Sequence, residues 1–277
     1  MVKFPKKLVF GPAGIPLSAK NKSTIEGIKY SYEELKLDGF EMEFVYGVKL
    51  KIEEAKEIKE YVEKNDIILT AHAPYYINLN AKEKEKIERS IQMLFNSARI
   101  TYYAGGVSVV FHPGWYMNST KEATYNKIKE GLKRVSKLLD EYSLDIYIRP
   151  ETMEEEKKFG DIDEIINLSK EIDHVLPAID FAHLRYRHKR NDIEFFRSIL
   201  EKLEKEFNKE ILNNMHIHMS GIKLDKHGTH LNLDESDIPW KDILKLLKEF
   251  NVKGIVISES PNIEKDAIMM KEYYEKL

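Results

Sequence analysis

Leu144-Asp-Ile-Tyr-Ile-Arg-Pro-Glu-Thr-Met153 reads as a short buried strand that stops at a proline and sets a carboxylate, Glu151, just beyond its end. Leu144, Ile146, Tyr147 and Ile148 supply the apolar run, and Pro150, with no N–H to give to a ladder, marks the exit. The same grammar recurs at His72, His112, Asp180, His218 and Glu259, each standing at the end of an apolar run. Repetition of one pattern points to a single shared site.

Outward from this stretch, strand and helix alternate. On its N-terminal side, Leu8–Gly14 ends in a Gly/Pro turn and precedes a helix over Ser23–Leu35, with Ser23 and Glu26 at capping-box spacing. Gly39–Gly47, Ile67–His72 and Val107–His112 follow as strands, each with an amphipathic helix behind it, over Lys51–Asn65, Ala81–Tyr103 and Lys121–Glu141. On the C-terminal side come a helix over Asp163–Lys170, then the strands Val175–Asp180, Asn214–His218 and Gly254–Glu259. Their helices are Asp192–Phe207, Trp240–Phe250 and Lys265–Glu275. Such alternation predicts an α/β fold, a single (β/α)8 TIM barrel domain over residues 1–277, whose parallel strands bring their carboxyl ends and any metal site to one face.

Composition narrows the chemistry. With 42% hydrophobic and 33% charged residues in 277, the chain can bury a large core. No run approaches the ~18 apolar residues of a membrane span, and Met1-Val-Lys-Phe-Pro-Lys-Lys7 lacks a signal-peptide core, so a cytoplasmic protein without membrane association is expected. The absence of cysteine excludes disulfides, thiol nucleophiles and thiolate ligands. A net charge of −3 gives no overall pull toward a polyanion, so a nucleic-acid face has to be built from local basic residues. The wealth of Lys, Glu and Ile is of the kind found in thermophile proteins.

Six consecutive strand exits carry metal-type ligands: His72, His112, Glu151, Asp180 with His183, His218, and Glu259; His227 and His230 follow the seventh strand. One such residue alone is more often a cap or a backbone partner. Structural roles, however, scatter along strands and helices, whereas a site at the carboxyl face of a barrel requires this placement. Imidazoles with carboxylates suit zinc, manganese or iron, and the set exceeds what one ion uses, so either several ions bind or some residues support the ligands. Gly11-Pro-Ala-Gly14 reads as a turn rather than a nucleotide loop, and His174 and His216 read as structural.

With these motifs in hand, the chain resembles the endonuclease IV family of apurinic/apyrimidinic endonucleases, within the xylose isomerase-like barrels, from its first strand to its last. His72 with Tyr75 and Ile77-Asn-Leu79, His112-Pro-Gly114, Glu151, Asp180-x-x-His183, His218 and Glu259 carry the resemblance. It implies a zinc-dependent hydrolase, with two or three ions or manganese in their place, that cuts double-stranded DNA on the 5′ side of abasic sites in base-excision repair. It further implies that Glu151 is catalytic and bridges two ions, with His72 and His112 on one and Asp180, His218 and Glu259 on the next. For a third ion the family uses a His and an Asp-x-His pair. Here His183 and His230 are expected, with His227 or Asp225 as companion, because Gly228 stands where one alignment requires the Asp.

The resemblance also bears on substrate contacts. Tyr75 is expected at the phosphate. Arg185, Arg187 and Lys189 head the basic run Arg185–Arg190, which follows the Asp180 motif, and Lys49, Lys51 and Arg149 are further phosphate candidates. Trp115 and Tyr116 either stack on a base or cover the barrel rim. A monomer without a protein partner is expected. The competing reading is a sugar isomerase or epimerase holding one metal through Glu151, Asp180, His218 and Glu259; His72, His112 and His183 would be surplus to it.

Overall fold

The computed structural model describes residues 5–277; Met1–Phe4, within the stretch read as lacking a signal-peptide core, lies outside them. Strand and helix alternate as β1 (Leu8–Pro12), α1 (Thr24–Glu33), β2 (Gly39–Glu43), α2 (Ile52–Lys64), β3 (Ile68–His72), α3 (Lys84–Tyr103), β4 (Ser108–Phe111), α4 (Lys121–Glu141), β5 (Tyr147–Pro150) and α5 (Ile162–Glu171). Then come β6 (Ile179–Asp180), α6 (Phe181–His188), α7 (Ile193–Phe207), β7 (Met215–Met219), β8 (Gly221–Ile222), β9 (His230–Leu231), α8 (Trp240–Glu249), β10 (Gly254–Ser258) and α9 (Glu264–Glu275). No helix among the described residues is long and apolar enough to cross a membrane.

The chain divides into two compact units. The first comprises residues 43–65 and 69–178. In it β3, β4 and β5 run parallel, with His72 opposite Val110 and Phe111 opposite Pro150, so their exits are level. Val109, Val110, Phe111 and Ile148 are fully buried, as strands covered on both faces require. Side chains fix the helix starts: Thr120 accepts from the amide of Ala123 at 3.1 Å to cap α4.

The second unit comprises residues 5–42, 66–68 and 179–277. Its parallel sheet has the order β1, β10, β7, β6, and a bridge between Ala13 and Glu41 lays β2 beside β1. Gly11 is obligatory at that approach: a Cβ there would stand 2.4 Å from the backbone carbon and oxygen of Gly39.

Three departures from the sequence reading have physical causes. Val175–Asp180 is a ladder only over Ile179–Asp180, because Pro177 cannot donate; before it, only single bridges at Val175 and Ala178 join the segment to β5. The basic run Arg185–Arg190, expected to face phosphate, lies largely on helix α6, nucleated by Asp180, whose side chain accepts from the amide of His183 at 2.6 Å. Finally, β8 and β9 pair as an antiparallel ribbon with Ile222 opposite His230, which carries that histidine back from the loop.

Candidate metal centre

In the first unit, the level exits of β3, β4 and β5 bring His72, His112 and Glu151 together. Nε2 of His112 lies 3.1 Å and Nε2 of His72 lies 3.5 Å from the same carboxylate oxygen, Oε2 of Glu151. His72 Nδ1 donates to the Ala73 carbonyl at 2.8 Å, which places the lone pair on Nε2, toward Glu151. Burial pushes the His112 imidazole below its usual range, against the opposing pull of Glu151, and so favours the neutral form a metal needs. Imidazole lone pairs converging on a carboxylate are mutually repulsive unless a cation lies among them. Donors about 2.0–2.1 Å from a tetrahedral zinc stand roughly 3.3 Å apart, so this set fits such an ion. Tyr75 roofs the group, its ring stacked on His112 at 5.2 Å between centroids and edge-on to His72 at 5.1 Å.

In the second unit, Asp180 and His218 are register partners on β6 and β7, and Glu259 follows β10. His218 Nδ1 is 3.2 Å from Glu259 Oε1, and ligand atoms of Asp180, His218 and Glu259 all lie within 4.8 Å of one another. One turn into α6, His183 sets its Nε2 3.1 Å from Nε2 of His230 and its Nδ1 3.7 Å from Asp180 Oδ2. His230 Nδ1 donates to the Glu259 carbonyl at 3.2 Å, leaving its Nε2 to face His183. Asp180, His183 and His230 thus form a further group that can hold an ion.

Asp225 and His227 stand apart from these groups. Asp225 accepts from the amides of His227 and Thr229 and the hydroxyl of Thr229, so it shapes the turn; His227 is exposed. Among the described residues, neither belongs to a set of converging ligands.

The basic candidates also separate. Arg185 and Arg187 are only 3% and 7% exposed; Arg185 is held by Asn191 and Asp237. Lys189 is exposed and ends α6 in the left-handed conformation, with φ 53°. Arg149 is buried and donates to the Pro177 carbonyl at 2.9 Å, whereas Lys49 and Lys51 are exposed. Trp115 is gripped by Lys157 and Lys158, 5.3 and 5.1 Å from its ring, and Tyr116 donates to Glu164 at 2.6 Å, so both aromatics are fixed on the surface of the first unit. Beyond the exits of β2 and β3, a cleft of about 470 Å³ opens among Gly47, Lys51, Pro74, Asn96 and Arg99.

Sequence reasoning missed Glu41. It sits fully buried in β2, with Oε2 2.9 Å from Nε2 of His216 and Oε1 2.9 Å from Nε2 of His218. Although burial pushes its carboxyl up, the imidazoles of His218 and His216 hold it well below the usual carboxylate range. The signal was present: a carboxylate inside the apolar run Phe40-Glu-Met42, and a His-x-His pair that strand periodicity aims at one face.

Comparison with known proteins places this site in context. The family model described as xylose isomerase-like TIM barrel matches residues 31–275. An uncharacterized protein of Methanocaldococcus jannaschii is 44% identical over 274 residues, 98% of each chain. A probable endonuclease 4 of Mycoplasma pneumoniae is 24% identical over 224 residues, 77% of this chain and 75% of that one. Among solved structures, a D-tagatose 3-epimerase-like protein superposes with a TM-score of 0.73 at 20% identity over 96% of both chains. Endonuclease IV from Thermus thermophilus does so with a TM-score of 0.71 at 18% identity, over 96% of this chain and all of that one. At such identities these two likenesses establish the TIM barrel fold.

Proposed function

The chain belongs to the xylose isomerase-like TIM barrel family, and within it we propose an endonuclease IV-like phosphodiesterase that cuts DNA 5′ to abasic sites, carried by a single domain. The observation that carries this reading is the convergence of His72, His112 and Glu151. An isomerase that needs one divalent ion has no use for two further imidazoles on a buried carboxylate, whereas hydrolysis of a phosphodiester gains from a second cation. The similarity to probable endonucleases 4 supports the same choice.

Zinc or manganese, when bound, supplies an acidified water and charge stabilisation for the phosphoryl oxygens. The chain's own residues prepare for this. His72 is locked by the Ala73 carbonyl with its Nε2 free of the proton, and burial pushes the His112 imidazole below its usual range. Glu151 supplies the negative charge between them. Asp180, His218 and Glu259 form the second ligand set, and His183 with His230 a third. Tyr75, about half exposed with its ring stacked on His112, is the proposed contact to a substrate phosphate.

The competing epimerase reading draws on the equally close fold of the epimerase-like protein and on the Asp180, His218 and Glu259 set, which suits both chemistries. Incubation with a labelled duplex carrying one abasic site separates them. The hydrolase reading expects chelator-sensitive cutting on the 5′ side that leaves a 3′ hydroxyl. A folded, zinc-loaded protein that leaves the duplex intact while interconverting ketose epimers would replace it.

A further inference from the structure

Glu41 converges with His216 and His218 as a further group of metal-type ligands, and one member of that group, His218, also belongs to the Asp180 set. His216 and His218 are two apart on β7, so their rings project from the same face, and the Glu41 carboxylate on β2 receives both. All three side chains are fully buried, so no bulk water competes for these contacts. His218 therefore meets a carboxylate on each side: Glu41 at 2.9 Å from Nε2, and Glu259 at 3.2 Å from Nδ1. These two contacts are not equivalent. Glu259 converges with Asp180 on the Nδ1 side, where two acids favour a cation, whereas on the Nε2 side a single carboxylate takes one imidazole nitrogen on each of its oxygens at hydrogen-bond distance.

From this geometry we infer that Glu41 is a positioning residue: it holds the proton of His218 on Nε2 and thereby presents the Nδ1 lone pair to the ion shared with Asp180 and Glu259. His216 completes the device by engaging the second Glu41 oxygen, which fixes the carboxylate between the two rings. A metal-bound imidazole whose other nitrogen donates to a carboxylate is oriented and made more basic. A mid-strand acid with a wholly buried partner is thus explained by its effect on the ion rather than by packing. The inference rests on the metal reading of the Asp180, His218 and Glu259 set, but not on DNA as the substrate.

The test is zinc affinity, measured on chelator-stripped full-length protein by competition with a chromophoric chelator. In Glu41→Gln the amide is the same size, but its NH2 group cannot receive a proton from both rings. The expected result is a roughly 10–100-fold loss of affinity in the binding step that His218→Asn abolishes, with the step assigned to His72, His112 and Glu151 unchanged. His216→Gln, which leaves Glu41 against His218, is expected to stay within about threefold of wild type by the same reasoning. Equal affinity in Glu41→Gln and wild type overturns the inference while leaving the metal reading intact. An equal loss in His216→Gln and Glu41→Gln assigns the cluster to folding alone and also overturns it. Failure of the wild type to bind zinc removes the metal reading and the inference with it. Should Glu41→Gln not fold, the ring nitrogens of His218 in 15N-histidine-labelled wild-type apoprotein decide: Nε2–H is expected, and Nδ1–H overturns the proposal.

Discussion

Replacing Glu151 with Gln keeps the shape of a fully buried side chain and removes its charge. In the stripped protein that charge is costly, because it is out of water and the His72 imidazole at 3.5 Å turns its lone pair toward it. Apo Glu151→Gln should therefore melt no lower than apo wild type. With zinc the sign reverses, since the carboxylate is the one anionic donor of the His72–His112–Glu151 set. At free zinc one hundred times the dissociation constant, an ion adds about 2.7 kcal/mol to folding stability. For a chain of this size that is a rise of about 4–5 °C in Tm. If the substitution weakens that step about a thousandfold, the same zinc concentration adds less than ~0.1 kcal/mol, and the rise attributable to this step vanishes. Thermal melts of stripped wild-type and variant protein, with and without zinc, read the difference directly. An undiminished zinc-induced rise in Glu151→Gln, together with more than a tenth of wild-type incision, would refute the assignment.

Other consequences follow from individual contacts. His72→Ala should lower incision at least about a hundredfold while costing the apoprotein only about 2–4 kcal/mol for the lost Ala73 hydrogen bond and the small cavity; turnover at the wild-type level would favour the one-metal chemistry. Because the folded His112 takes up its proton at a lower pH than the unfolded value of 6.5, the unfolded chain binds more protons below that value. Stability of the stripped protein contributed at this site should accordingly fall as pH drops below 6.5, and His112→Gln should flatten that slope in urea titrations at successive pH values. Gly11→Ala forces a methyl against the Gly39 backbone at 2.4 Å and is expected to cost about 3 kcal/mol or the soluble fold, measured by denaturant unfolding.

What the sequence revealed and concealed follows from the physics of each element. Parallel strands buried on both faces are mostly apolar, so β4 and β10 stand out as runs, and the first polar residue after each, His112 or Glu259, stands out as a candidate ligand by contrast. Glu41 was hidden because its polar partners come from β7, far away in sequence. Burial of Arg185 was hidden for a related reason: its contacts with Asn191 and Asp237 are announced by no local pattern. Asp225 and His227 have the spacing of a ligand pair, yet Asp225 spends its oxygens on the turn's own donors; short acidic side chains in loops commonly do so.

The central claim is that this site works through more than one ion, and zinc titration of the stripped protein with incision of an abasic duplex as readout tests it most directly. Incision that stays near background through the first equivalent of zinc and rises with the second is the predicted result. Full activity at one equivalent, or no incision at any loading of a folded protein, would contradict it.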